Sequence, residues 1–484
     1  MGINHFFFWF KKTFSSCLKP VKLSGNIPAI VDNLLLDINC IIHDSCQKVY
    51  CYGKYERLLK PGIISTEKQV FRQVCATLNN LVKLVNPTKR VIICIDGPAP
   101  LSKMLQQRLR RYKKSTSETF DTNSITPGTV FMDRLSKYID WFIRKKIMED
   151  SRWKSLDIYF SSEKHCGEGE HKCMSFVRQH IPADETCCIN GMDADLFMLT
   201  IASKRKFYIL RDETYDYDVD YYMVNIEMFK DELCKLLKWG DETNKENLLD
   251  DFVYICFLCG NDFLPHMPSI EIIQSGIETI IELYKKVCPT LGYLTCSGII
   301  RKHVLKNFLE IIAEKEQELL EYKLNRRDVS FFPDEYLNSC CSIVNGEYKL
   351  DITKYKSGYH KKYFSNVDVN MKSICHKYIE GTQWVLSYYL TGVPCWRWFY
   401  PYYYAPPASI IVKYISTYIF CGFNNNTQPF KPFQQLLCVL PPKSSELLPK
   451  PLDLLLKEWS VIKQYYPDDF EIDLSGKLSE YMGI

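Results

Sequence analysis

The sequence predicts an α/β protein with a largely parallel, twisted sheet over residues 1–314, followed by a mainly helical second region. Three observations carry this. Short apolar runs alternate with longer helical patterns through the first three hundred or so residues, the rhythm of strand–helix–strand units. No internal repeat and no low-complexity tail breaks this pattern. The composition, 46% hydrophobic and 24% charged over 484 residues, supplies a large core and excludes a disordered or fibrous chain.

Taken in order, the expected strands are Leu34–Ile38, Val91–Ile95, Leu156–Phe160, Thr186–Ile189 and Phe207–Leu210. The expected helices are Glu67–Val85, Leu101–Lys113, Thr129–Met148, Glu170–His180, Leu248–Leu258 and Ile270–Val287. Residues 315–357 are polar and irregular and read as a linker. The second region, 358–484, opens on a helical stretch, ICHKYIEGTQWVLSYYLTG. It continues through CWRWFYPYYYAPP, rich in Trp, Tyr and Pro, and ends in short apolar helices and prolines.

The balance of 61 Lys and Arg against 57 Asp and Glu gives a net charge of +4, so any basic binding site must be local. Twenty-one cysteines, an odd count, sit in part inside apolar runs such as ICFLCG, where they act as small hydrophobes in a reducing, cytoplasmic setting. HFFFWF is too short for a membrane span or signal core, and Phe6 stands where a myristoylation signal needs Ser or Thr.

Carboxylates close the apolar runs. Asp37 ends LLLDIN, Asp96 ends VIICID, Glu168 and Glu170 lie in CGEGEHK, Asp193 and Asp195 in NGMDADLF, and Asp262 in CGNDFLPH. In an open α/β sheet, sites assemble at strand ends. Seven converging acids require cations, and hard oxygen donors select Mg²⁺ or Mn²⁺. Two such ions, roughly 4 Å apart, can clamp the attacking water and leaving oxygen of a phosphodiester. On an extended segment, residues i and i+2 face the same way, so Glu168/Glu170 and Asp193/Asp195 are each expected to share a face. The plainer reading of any one such acid is a helix cap or turn former.

After Asp96 comes GPAPLSKMLQQRLRRYKK, with Pro100 suited to a first helical turn. Lys103, Gln107, Arg110 and Arg111 then share one helical face, a clamp for a terminal phosphate rather than a merely solvated basic stripe.

These residues resemble one family, the XRN 5′→3′ exoribonucleases. The resemblance rests on MGINHFFFWF, DNLLLDINCIIHDSC, IDGPAPLSKMLQQRLRRYKK, FDTNSITPGTVFMDRL, GEGEHKCMSFVR, GMDADLFMLTIAS and DDFVYICFLCGNDFLPHMPSIEI, in that order. YIEGTQWVLSYYLTGVPCWRWFYPYYYAP and PPKSSELLPKPLDLLLKEW resemble the family's second conserved region. The resemblance implies a nuclease core of the PIN/flap-endonuclease type, with a helical region narrowing the entrance to its channel. It implies processive hydrolysis of single-stranded RNA from a 5′-monophosphate end, using divalent metal. Asp37, Asp96, Glu168, Glu170, Asp193, Asp195 and Asp262 would be the catalytic metal ligands. Lys103, Gln107, Arg110 and Arg111 would hold the 5′ phosphate. His43 would stack on the first base, opposite Trp396 or Trp398. Decapping enzymes or another RNA-processing protein would be partners. Stacking suits any base, which sequence-independent degradation requires.

Two departures stand out: Cys166 replaces a family Pro before GEGEH, and Tyr481 replaces a Trp near the C-terminus. The chain ends at Ile484, where cytoplasmic relatives continue, which suits a compact, viral-type member. Cys256 and Cys259 mimic half a zinc site without a partner pair. Asp216, Asp218, Asp220 and Glu227 mimic a calcium loop, but Tyr221 stands where Gly is required. Lys204–Lys206 is too short for a nuclear signal. The rival readings are a flap-type structure-specific endonuclease and a catalytically inactive RNA-binding scaffold.

Overall fold

The computed structural model describes residues 6–58, 65–113, 120–213, 219–240, 243–270, 276–325, 334–365 and 369–468. Tyr481 and the Asp216/Asp218 part of the calcium-loop mimic lie outside them. The chain divides into two compact units, one of residues 10–231 with 427–468, the other of 1–9, 232–426 and 469–484.

The first unit is built on a seven-stranded sheet: β1 (Leu18–Val21), β2 (Asn33–Asp37), β3 (Arg90–Cys94), β4 (Asp157–Ser161), β5 (Thr186–Asn190), β6 (Lys206–Asp212) and β7 (Tyr221–Asn225). Their order is β1-β7-β6-β5-β2-β3-β4. The five from β6 to β4 are parallel, and β7 and β1 close one edge antiparallel. All five expected strands are present. The two antiparallel strands were not foreseen. LKPV carries Pro20 and buries only Val21 well, so it lacks the alternation that marks a strand, and it sits at the sheet edge where proline is tolerated.

The chain runs from β2 to β3 and β4 on one side, then returns to β5 and β6 on the other. The strand order therefore reverses at β2, flanked by β3 and β5, and ligands of open α/β sheets bind at the C-terminal ends of strands at such a reversal. The helix Glu67–Val85 shows why the flanking layers form. Thr66 caps it in a reciprocal capping box with Gln69, and Val70, Phe71, Val74, Leu78, Leu81, Val82 and Val85 recur on one buried face. Asn86, at φ 49°, ends it in the left-handed conformation.

The second unit is mainly helical. Its central helix, Lys245–Leu258, is buried all round. Within it, Asp251 accepts hydrogen bonds from Tyr284 Oη, Leu294 N, Thr295 N and Thr295 Oγ1. The segment expected as an irregular linker, 315–357, instead carries the helix Glu316–Asn325, a hairpin of Cys341–Val344 with Glu347–Leu350, and the start of the helix Ile352–Tyr363. Its apolar residues are sparse in sequence but gather around Leu320, Leu350, Tyr355 and Tyr359 in a small core of their own. The helix expected from Ile270 is described from Gly276. Cys256 and Cys259 are buried in the second unit, and no disulfide joins any of the 21 cysteines. Among the described residues no helix is long and apolar enough to cross a membrane.

Candidate active site

Six of the seven singled-out carboxylates lie in the first unit, at the strand reversal. Asp37 is the last residue of β2, paired in register with Cys94 of β3, and Asp96 follows two residues later. The other four are carried differently from the expected extended segments. Glu168 is the N-cap of the helix Gly169–His180 and Glu170 lies in its first turn. Asp195 begins the helix Asp195–Ala202, with Asp193 in the loop before it. An acid in a first helical turn is stabilised by the helix dipole, which helps hold Glu170 and Asp195 in a crowded anionic setting.

Close approach is made possible by glycine. A Cβ on Gly169 would overlap Asp37 Oδ1, and one on Gly97 would overlap the His165 carbonyl. Gly169 N donates to Asp96 Oδ1 at 2.6 Å, and Asn39 Oδ1 accepts from Asp96 N at 3.3 Å. Lys172, half-buried, donates to the carbonyls of Ile95 at 2.6 Å and Ser162 at 2.8 Å, tying the ends of β3 and β4 together. Arg211 donates to the Met192 carbonyl and fixes the loop that carries Asp193.

The electrostatics follow from this crowding. Burial, then Asp96 and Asp193, push the Asp37 carboxyl well above its usual range. Burial pushes up Glu170 as well, with Glu168, Asp193, Asp195 and Asp37 adding to it. Acids that raise one another in this way favour a cation over their own ionised, repelling state. Among the described residues no three of them already surround one point as metal ligands. Glu168 is drawn instead to Lys103 Nζ at 2.5 Å, both side chains buried.

That ion pair joins the acidic cluster to the basic helix Leu101–Lys113. Lys103, Gln107 and Arg111 are each less than 10% exposed, and Arg110 is half-buried. Arg111 is held by Thr126 Oγ1, at 2.9 Å from Nη2 and 3.2 Å from Nε, and approaches Gln107 Oε1 at 3.5 Å. Burial, and then the charge of Arg110, push the Arg111 guanidinium down to about 9. Two crowded guanidinia repel each other, and a dianion between them would relieve that repulsion. Burial, with Lys103 and Arg178, also holds His171 well below its usual range, so it is neutral.

Of the other expected residues, His43 is half-buried on the helix Asn39–Tyr50 of the first unit. Asp262, Trp396 and Trp398 belong to the second unit. Asp262 follows Asn261, whose side chain accepts from Phe263 N and Leu264 N in a tight turn. Trp398 is packed: its ring stacks on Trp384 at 5.3 Å, its Nε1 donates to Glu380, and it lies against Gly381. Trp396 is half-buried.

Residues 427–468 supply groups that sequence reasoning missed. Gln435 is fully buried; its Oε1 accepts from Ala99 N at 2.6 Å and its Nε2 donates to Gln107 Oε1 at 3.2 Å. Arg108, beside the four foreseen residues, donates to the carbonyls of Cys438 and Tyr465 and lies over the rings of Tyr112 and Tyr466. Asn123 donates to Ser444 Oγ.

Fold and site together define an α/β protein with an acidic cluster at the sheet reversal, bridged directly to a buried basic pocket. Comparison with known proteins gives the family. The model described as "XRN 5'-3' exonuclease N-terminus" matches residues 1–119 and 114–213, and that described as "Xrn1 helical domain" matches 242–335 and 343–484. The chain belongs to the XRN family. It is 27% identical to 5′-3′ exoribonuclease 1 of Schizosaccharomyces pombe and 29% identical to that of Homo sapiens, each over the whole of this chain. It is 27% identical to the 5′-3′ exoribonuclease 2 homolog of Drosophila melanogaster, again over the whole chain. These matches span 47%, 33% and 69% of the respective relatives, so the chain covers less than half the length of the first two. A solved structure, the catalytic core of Rad2 in complex with DNA substrate, aligns over 90% of this chain and 92% of that one with TM-score 0.36 and 13% identity, too little to carry an argument.

Proposed function

We propose that this chain is a processive 5′→3′ exoribonuclease that hydrolyses single-stranded RNA from a 5′-monophosphate end. The observation that carries the reading is the direct bridge from Glu168 in the acidic cluster to Lys103 in the basic pocket. A terminal phosphate held by Lys103, Gln107, Arg110 and Arg111 would place the next phosphodiester near the acids, about one nucleotide away.

The donor set fits hard divalent cations: all six clustered groups are carboxylates, and Glu170 and Asp37 are destabilised as anions by burial and then by their acidic neighbours. Asp37, Asp96, Glu168, Glu170, Asp193 and Asp195 would hold divalent ions, Mg²⁺ or Mn²⁺, which would supply an activated water and stabilisation of the departing 3′ oxygen. Attack at that phosphorus breaks its bond to the 3′ oxygen and releases a nucleoside 5′-monophosphate. The remaining RNA then carries a new 5′-monophosphate, the group the pocket binds, and this gives the reaction its direction. A cap or triphosphate would not fit a pocket whose lining is already buried, so the specificity is by exclusion. Of the two tryptophans, the half-buried Trp396 is the one we assign to base stacking, since Trp398 is committed to Trp384 and Glu380; in the first unit the candidate is His43. The expected setting is cytoplasmic, downstream of enzymes that expose 5′ monophosphates by decapping.

The test is hydrolysis of linear 5′-monophosphorylated RNA and of a circular RNA of the same sequence, with Mg²⁺ or EDTA. Mg²⁺-dependent release of nucleoside 5′-monophosphates from the linear RNA alone is expected. Internal cuts in the circle would indicate a flap-type endonuclease, and binding without turnover a scaffold.

A further inference from the structure

We infer that Gln435 is a positioning residue for the 5′-phosphate pocket, setting which end of the Gln107 amide faces the phosphate. The inference rests on the reading of that pocket proposed above, and it extends the site to residues 427–468.

The geometry allows one assignment. The Ala99 backbone N–H can only donate, so the Gln435 atom 2.6 Å from it is the carbonyl oxygen. The other end of the same amide is then the NH₂ group, and it donates to Gln107 at 3.2 Å. The Gln107 atom receiving it must be Oε1. Arg111 Nη1 approaches that oxygen too, at 3.5 Å. Two donors thus converge on the Gln107 oxygen, and the part of its amide engaged by neither is the NH₂. With Lys103, Arg110 and Arg111, the pocket then presents donors only. A flipped Gln107 would turn a carbonyl oxygen towards a phosphate dianion.

Gln435 is well placed to enforce this. It is fully buried on the short helix Pro432–Val439, and a buried amide that lost a partner would leave an uncompensated polar group. Arg108 anchors the same segment through the Cys438 and Tyr465 carbonyls. The basic helix therefore uses one residue to hold the segment and another to be oriented by it.

The isosteric change Gln435→Glu isolates the effect. A carboxylate can still occupy the space beside Ala99 N but cannot donate to Gln107 Oε1. Gln107 would be driven to turn its NH₂ towards the new carboxylate and its oxygen towards the pocket. The experiment measures binding of two oligoribonucleotides of one sequence, with 5′-monophosphate or 5′-hydroxyl ends, by fluorescence anisotropy in EDTA so that no hydrolysis intervenes. The affinity ratio of the two ends should fall about tenfold in Gln435→Glu, the scale of one hydrogen bond to a charged group. Affinity for the 5′-hydroxyl RNA should stay within about twofold. Gln107→Met should lower the ratio similarly, and adding Gln435→Glu to it should cause no further loss, because the two act through one amide. A ratio unchanged in Gln435→Glu, or losses that simply add, would overturn the inference while a wild-type preference for the phosphate left the pocket standing. A wild-type protein that bound both ends equally would overturn both. If Gln435→Glu failed to fold, Gln435→Met would replace it. That variant removes the donor without adding charge, and a fall in the ratio supports the inference while an unchanged ratio overturns it.

Discussion

Asp193 sits in a loop held by Arg211 and raises both Asp37 and Glu170, so its charge is felt across the cluster. Replacing it by Asn keeps its shape and removes that charge. Hydrolysis by Asp193→Asn should fall by at least about 10²-fold, the scale for losing a group that organises transition-state charge, while RNA affinity in EDTA stays near wild type. Parallel losses of binding and turnover would show a folding defect instead. Gly169 is a second such point. Its missing Cβ is the space in which Asp37 stands, so Gly169→Ala should cost about 1–3 kcal/mol by overpacking and should also displace an acid. Denaturant unfolding combined with a turnover assay would register both effects. At this scale the positions of Asp37 and Asp96 at strand ends and of the basic residues on one helix were legible in the sequence, because those acids close apolar runs and the basic residues keep helical spacing. Lys172, Asn39, Thr126 and Gln435 were not legible. Their importance lies in which atom they meet across the fold, and neither spacing nor residue type announces that.

Elements explain the differences from expectation. The paired acids were expected on extended segments, yet both pairs straddle helix N-termini. The i, i+2 spacing does not distinguish a strand from the entry to a helix. The central parallel strands β2, β3 and β5 were readable because burial on both faces makes them continuous apolar runs. β1 was hidden because an edge strand with a proline has no such pattern. The segment 427–468 belongs with 10–231 although residues 232–426, which belong to the other unit, lie between them in the chain; chain order alone gave no reason to join them. Arg108 is the clamp on that segment, so Arg108→Ala should speed limited proteolysis within 427–468, whereas Arg134→Ala, an exposed ion-pair change, should not. In the second unit, burial raises Asp251 to about 6 despite its four hydrogen bonds. The folded state thus keeps a proton that the unfolded chain, near 3.8, has already lost. Stability from this group is fully present below about pH 4 and lost as pH rises through 6, by about 3 kcal/mol. Asp251→Asn should flatten the stability profile between pH 4 and 6, measured by urea unfolding; an unaltered slope would place that titration elsewhere.

For the whole molecule, the chain joins an acidic and a basic site within one unit and carries Asp262 and the candidate stacking tryptophans in the other. It spans less than half of the two longer relatives it matches, so the central claim is best tested on this chain by itself. The most direct measurement is a time course on one 3′-labelled RNA bearing a 5′-monophosphate, 5′-triphosphate or 5′-hydroxyl end, with Mg²⁺ present. The account predicts rapid loss of the monophosphorylated RNA alone, with no internal fragments. Equal loss of all three species would contradict it.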